Sequence, residues 1–279
     1  MDSPTPDDGR RRRNIEREFG VPFAGEILPP EQWTKTALRW KPPPPFGAAH
    51  EFRRRAPLVI DLGCGNGRFL IGSAVWRPDH DHVGVDELPL VIRYAVRRGN
   101  QRGLTNIRFG VLDARTLIAA LPSRLAAEIH CYHPQPYYQP EEIGKRLLTP
   151  QFLADVYDRL EPDGKLFLQT DHPAYWTYLH SVVPLLFDFQ VQQGPWPDAP
   201  KGRTRREILA LKRGLPVFRG WGTPKQGLDD AAIEAMVASA PLPTFDADRS
   251  LCDLDEWEAK DATQRGAGPP RRRRGRRRG

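Results

Sequence analysis

The stretch "VIDLGCGNGRFL" sets Gly63, Gly65 and Gly67 between an apolar run and a helical pattern. Glycines there let backbone approach a ligand closely and turn the N–H groups of a helix start toward it. Two acids follow one strand–helix unit apart: Asp86 closes "HVGVD" and Asp113 closes "NIRFGVLD". A carboxylate at the carboxyl end of a parallel strand can accept from ribose hydroxyls, and Asp113 is suited to adenine. The spacing G-x-G-x-G, rather than the G-x-G-x-x-G of dinucleotide folds, argues against NAD and for S-adenosylmethionine. Either acid alone reads equally well as a solvated turn residue. In register with the glycine loop, the two read as a nucleoside site.

Three further sets carry polar chemistry. "LQTD" ends on Thr170 and Asp171, "TRRE" holds Thr204 and Glu207, and "CYHPQPYYQPEEIGKRL" runs from 131 to 147. Thr204 and Glu207 also match the helix capping box [ST]-x-x-E. His133 stands near the expected crevice as a residue that titrates near neutral pH or simply packs. Tyr137 and Tyr138 offer aromatic surface to an unstacked base or ordinary rim packing. Asp79, His80, Asp81 and His82 in "RPDHDHVG" invite a metal, but alternating residues in a connection read better as solvated, and no metal is expected.

These residues need a scaffold, and the pattern supplies one. "PLVIDLG", "HVGVD", "NIRFGVLD", "AEIHCY" and "KLFLQTD" read as strands; "NGRFLIGSAVWR", "LPLVIRYAVRRGNQRG", "ARTLIAAL" and "TPQFLADVYDRL" read as helices, the last capped at Thr149 with Pro150 in its first turn. "EPDG" reads as a turn. This alternation predicts an α/β fold, a doubly wound and mostly parallel sheet. "FDFQVQQ" and "LPVFRGW" are expected to add a C-terminal antiparallel strand pair.

The 279 residues fit one folded unit with extensions. A Pro- and Arg-rich arm, in part disordered, is expected over 1–55, a catalytic domain over 56–225, an extension over 226–265 and a disordered basic tail over 266–279. Trp33 and Trp40 of the arm are expected to pack against the body, and Pro42–Pro45 to stay extended. The net charge of +7 equals the seven arginines of 271–279, so the body is neutral and the basicity is local. Cys64, Cys131 and Cys252 form no CxxC pair and read as reduced thiols. With no signal-peptide core and no apolar run near the roughly 18 residues a span requires, a cytoplasmic protein with no membrane association is expected.

The order "GNGRFL", "RPDHDHVGVD", "LTNIRFGVLDA", "KRLLTPQFL", "LEPDGKLFLQTD", "TRREILALKRG" resembles the bacterial tRNA (guanine-N7)-methyltransferase family, within the class I S-adenosylmethionine-dependent methyltransferases. The resemblance implies a Rossmann-like fold, S-adenosyl-L-methionine as methyl donor and tRNA as partner, with methyl transfer to N7 of a variable-loop guanosine. It implies cofactor contacts from Asp61, Gly63, Gly65, Asn66, Gly67, Asp86, Asp113 and Ala114. It implies substrate contacts from Gln135, Lys145, Arg146, Thr170, Asp171, Thr204 and Glu207, with Asp171 and Glu207 catalytic and Gly214 at the family's spacing. The departure is the loop: His133 stands for Phe, Gln135 for Asp, Tyr137 for Trp, and Gln139–Glu142 replace a basic run. Two acids there oppose a phosphate backbone, for which the arginines of 10–13 and 271–278 are expected to compensate. Transfer to another nucleic acid or a small molecule, or a noncatalytic RNA-binding or cofactor-sensing role, are the alternatives this loop leaves open.

Overall fold

The computed structural model describes residues 14–37 and 52–247. Trp40, Pro42–Pro45, Cys252 and both arginine runs lie outside them. Central strand β3 (Leu58–Leu62) is buried at every position, as a near-continuous apolar run demands when both faces of a parallel sheet are covered. Around it form β4 (Asp81–Asp86), β5 (Ile107–Val111), β6 (Ala126–Tyr132) and β7 (Leu160–Thr170), all parallel. β8 (Phe187–Val191) and β9 (Phe218–Pro224) pair antiparallel, and β9 also runs antiparallel to β7. The sheet order is β5-β4-β3-β6-β7-β9-β8, so the expected terminal strand pair is present. The residues "EPDG" fall where the β6–β7 register jumps, from Ala126 opposite Leu160 to Glu128 opposite Lys165.

Helices cover both faces. Helices α1 (Arg68–Trp76) and α2 (Pro89–Gln101) bury Phe69, Leu70, Ile71, Ile92 and Ala95 on one side. Helices α3 (Ala114–Ala120), α4 (Pro150–Arg159) and α5 (Pro173–Leu186) pack on the other. Thr149 caps α4, its hydroxyl accepting from Phe152 N–H at 3.2 Å. Helix α6 (Arg205–Lys212) stops at Gly214, φ +70°, where Leu215 N–H reaches Ala210 C=O and Gly214 N–H reaches Leu211 C=O. That is a Schellman ending, so Gly214 is explained by helix termination. Helix α7 (Asp230–Ser239) sets Ile233, Met236 and Val237 against the core, so this part of the predicted extension belongs to the packed body.

Residues 14–37 are also built in. A hairpin of β1 (Arg17–Glu18) and β2 (Val21–Pro22) precedes Phe23, which lies beneath the guanidinium groups of Arg68, Arg98 and Arg102 at 4.8–5.0 Å. Glu16 pairs with Arg98 and Arg102. Trp33 remains 41% exposed with its N–H on Leu28 C=O, so the anchoring aromatic is Phe23.

The strand order reverses between β3 and β6, which opens a crevice at their carboxyl ends. The glycine loop leaves β3 there and the proline loop leaves β6. Within the first loop the glycines differ. A Cβ on Gly63 or Gly65 would meet nothing within 4 Å, whereas on Gly67, φ +77°, it would lie 2.9 Å from Ala95 Cβ and from the Phe109 ring. Gly67→Ala therefore combines left-handed strain with overpacking, and we expect a loss of about 3 kcal/mol, checked by urea unfolding of the ligand-free protein.

Candidate functional site

The crevice holds a cavity of about 510 Å³, with walls from the glycine loop, the starts of α2 and α3, the proline loop and the residues after β7. Leu88, Val91 and Leu112 give one end an apolar lining. Asp61, Asp86, Asp113, Asp171, Thr170 and Thr204 supply its polar groups.

Asp86 is fixed by two backbone donors, Gly65 N–H to Oδ2 at 3.0 Å and Leu88 N–H to Oδ1 at 2.8 Å. Burial still raises its pKa above the ordinary value against these bonds. Asp61 lies deeper; burial first, then the nearby Asp86 charge, push it up to about 8, with Arg203 opposing. Asp113 stands two residues beyond the end of β5 and caps α3, its Oδ2 accepting from the N–H and hydroxyl of Thr116 at 2.9 and 3.1 Å. Ala114 follows it on the cavity wall, and Asn66 is held by Glu18 Oε1 at 2.8 Å.

The site fits S-adenosylmethionine on four counts. Gly63 and Gly65 leave space a Cβ would fill, the buried acids favour a cationic ligand, the apolar end suits a purine, and two buried polar atoms of residues that line the cavity, Glu18 Oε2 and Arg68 Nη1, have no hydrogen-bond partner.

Across the cavity, Asp171 follows β7. Its Oδ2 accepts from Arg206 Nε at 2.8 Å and its Oδ1 faces His133 Nδ1 at 3.0 Å. Burial opposes the charge, but His133 and Arg206 outweigh it and hold the carboxyl well below the usual carboxylate range. The proton on His133 follows from the bonds behind it. Trp196 Nε1–H can only donate, at 2.5 Å, to Gln169 Oε1; Gln169 Nε2 then donates to His133 Nε2 at 2.8 Å, which leaves Nδ1–H to donate to Asp171. Thr170 Oγ1 accepts from His172 N–H at 3.1 Å.

Three expectations are corrected. Glu207 does not line the cavity. It is fully buried: Thr204 Oγ1 accepts its N–H at 3.0 Å, its Oε2 accepts from Arg203 N–H at 2.7 Å, and its Oε1 accepts from Arg219 Nε and Nη2 at 3.0 and 2.5 Å. The T-x-x-E motif is thus a capping arrangement that fixes the start of α6, and Thr204 alone of the pair reaches the wall. Arg146 faces no phosphate: it is 1% exposed, and its guanidinium donates to the carbonyls of Pro136, Tyr137, Pro243 and Phe245 at 2.5–2.9 Å. The "RPDHDHVG" run is not all solvated. Asp81 and His82 are buried, with His82 Nε2 2.9 Å from Ser73 Oγ and Arg54 paired to Asp81. Among the described residues no cluster of His, Cys, Asp or Glu could hold a metal ion.

Gln135 is exposed at the cavity mouth. Lys145 is exposed and pairs with Glu142 at 3.1 Å. His133 and Tyr137, flanking Gln135, both adopt left-handed φ, +52° and +42°. Sequence reasoning missed Glu18, Arg206, Gln169 and Trp196. Glu18 sits in the arm, and Arg206 lies inside the T-x-x-E motif where only its ends drew notice.

Residues 55–219 match the family model described as "Putative methyltransferase". A tRNA (guanine-N7)-methyltransferase of a Nocardioides species is 30% identical over 222 residues, covering 75% of this chain and 87% of that protein. The protein of the same name from Alkalilimnicola ehrlichii is 28% identical over 213 residues, covering 74% and 88%. That from a Synechococcus species is 30% identical over 197 residues, covering 64% and 77%.

Two measurements test this geometry. A folded-state pKa near 8 against roughly 3.9 unfolded means the folded ligand-free protein takes up a proton between those values. Stability is therefore lost as pH rises from about 4 through about 8. Asp61→Asn should flatten that slope and gain on the unsubstituted protein at pH 8 relative to pH 5, read by denaturant unfolding. Arg146→Met leaves four carbonyls without a donor, and the midpoint should fall by an amount equal to about 3 kcal/mol or more.

Proposed function

We infer that this chain, which belongs to the tRNA (guanine-N7)-methyltransferase family, transfers the methyl group of S-adenosylmethionine to N7 of a guanosine in tRNA, and we propose the variable-loop guanosine as the acceptor. The observation that carries the residue assignment is an ionised, oriented carboxylate, Asp171, across the cavity from the glycine loop. S-adenosylmethionine, when bound, supplies an electrophilic methyl carbon on a sulfonium.

Guanine N7 has its lone pair in the neutral base, so the protein need not remove a proton before transfer. What it must supply is orientation and an anionic environment for the charge that develops on the purine. Asp171 fits both tasks. Each oxygen is pinned by one donor, from His133 or Arg206, and a carboxylate oxygen has a second acceptor site for guanine N1–H or the exocyclic amine. Such bonds would select guanine over adenine. Thr170 and Thr204 offer hydroxyls on the same wall, and Gln135 an amide at the mouth. Lys145 at the rim fits a phosphate contact once its pairing with Glu142 is exchanged. Asp61, Asn66, Asp86, Asp113, Ala114 and the glycine backbone are the proposed cofactor contacts. Among the described residues no helix is long and apolar enough to cross a membrane, and a tRNA acceptor accords with the cytoplasmic location expected from the sequence.

The test incubates purified protein with S-adenosylmethionine and tRNA lacking 7-methylguanosine, then measures that nucleoside by mass spectrometry after digestion. We expect 7-methylguanosine at one position, and a fall of about 100-fold or more in kcat/KM for Asp171→Asn, the scale set by losing one preorganised electrostatic group. Glu207→Gln should lower the unfolding midpoint more than Asp171→Asn does and kcat less. The reverse ranking would return Glu207 to the reaction.

A further inference from the structure

Two charged side chains on the cavity wall are left incomplete by the protein. Glu18 is 1% exposed, and its Oε1 is taken by Asn66 Nδ2 at 2.8 Å and Arg205 Nη1 at 3.2 Å. Its Oε2 has no hydrogen-bond partner. Arg68, first residue of α1 and 8% exposed, donates through Nη2 to Pro22 C=O at 2.7 Å and lies over the Phe23 ring. Its Nη1 also has no hydrogen-bond partner. The two orphan atoms are 3.6 Å apart, too long for a hydrogen bond, and both residues border the cavity.

Burying a carboxylate oxygen and a guanidinium nitrogen without hydrogen bonds is costly. An ordinary buried pair would close the remaining gap. Here each side chain is held from behind: Glu18 by the glycine loop and α6, Arg68 by the arm. The two atoms stay 3.6 Å apart as a loose ion pair without a hydrogen bond, an acceptor beside a donor on residues that border the cavity. A ligand carrying an ammonium and a carboxylate on one carbon offers the complementary pair. The amino-acid end of the cofactor named above is such a group. Its carboxylate would also lie at the amino end of α1, where backbone N–H groups and the helix dipole favour an anion.

We propose that Glu18 and Arg68 bind the α-ammonium and α-carboxylate of the methionine moiety, so that the N-terminal hairpin forms part of the cofactor site. This rests on the cofactor reading given under Proposed function. Because Glu18 also holds Asn66 and Arg205, binding at this point ties the glycine loop to the start of α6.

Calorimetry on the full chain separates this role from a purely structural one. S-adenosylhomocysteine carries both groups; 5′-methylthioadenosine carries neither. Glu18→Gln, which keeps the side-chain shape, and Arg68→Gln should each weaken S-adenosylhomocysteine about 10-fold or more, the scale of one charge-assisted hydrogen bond, and leave 5′-methylthioadenosine within about 2-fold. Decarboxylated S-adenosylmethionine assigns the partners: Arg68→Gln should bind it as well as it binds S-adenosylmethionine, while Glu18→Gln should keep the preference for the carboxylate. Equal weakening of both nucleosides would make the hairpin a structural support and overturn the proposal. No weakening of either would overturn it too. If the unsubstituted protein binds neither nucleoside, the cofactor reading itself fails, a result distinct from any difference between variants.

Discussion

The buried guanidinium of Arg146 is the interaction on which the proline-loop side of the cavity depends. Its hydrogen bonds run to Pro136 and Tyr137 in the proline loop and to Pro243 and Phe245 beyond α7, and its Cζ lies over the Phe245 ring, 3.9 Å from the centroid. A planar, always charged fork can satisfy four carbonyls pointing from two segments; an ammonium on a flexible stem cannot reach them in that geometry. The loop has reason to need such a clamp. His133 and Tyr137 sit in a backbone region that side chains adopt at a cost of roughly 1–2 kcal/mol each, and a strained loop persists only where its surroundings over-determine it. Arg146 holds one end, and the His133 N–H bond to Gln169 C=O, 2.7 Å, holds the other.

From that loop the constraint passes to the chemistry. His133, fixed at its backbone, is also fixed at its ring by Gln169, which is fixed by Trp196. The chain of donors runs one way only, because indole N–H cannot accept. It ends on Asp171 from one side while Arg206 meets it from the other. A phenylalanine at 133 would pack in the same place and leave Oδ1 without this donor. The histidine therefore gives this chain a polar means of orienting the Asp171 carboxylate.

Much of this was legible in the sequence. The five parallel strands, the terminal antiparallel pair, the Thr149 cap and the glycine loop all follow from local pattern, since apolar period, cap and turn residues act over a few positions. What stayed hidden depends on contacts between distant segments. Nothing local marks Arg146 as buried, because its partners are carbonyls at 136, 137, 243 and 245. Nothing local marks Glu18 as part of the cavity, because the hairpin reaches it only by docking on α1 and α2. The T-x-x-E motif was readable in two ways, and only burial beside Arg219 separates the capping arrangement from a substrate contact.

That separation changes the electrostatic account of the site. With Glu207 turned into the protein and an amide at Gln135, the acid on the proline-loop side of the cavity is Asp171, while Asp61 and Asp86 lie toward the glycine loop. A purine that becomes cationic needs negative potential where the charge appears, and one ionised carboxylate in a partly desolvated crevice supplies more of it than the same group in water. Arg206 and His133 take part of that potential away, yet they also keep the carboxylate ionised against burial. An aspartate at 135 would have added charge in an exposed position, where screening weakens it. With an amide at 135, the exposed and half-buried charges of this loop are those of Glu141, Glu142 and Lys145, and the buried, ionised carboxylate on the proline-loop side of the cavity is that of Asp171.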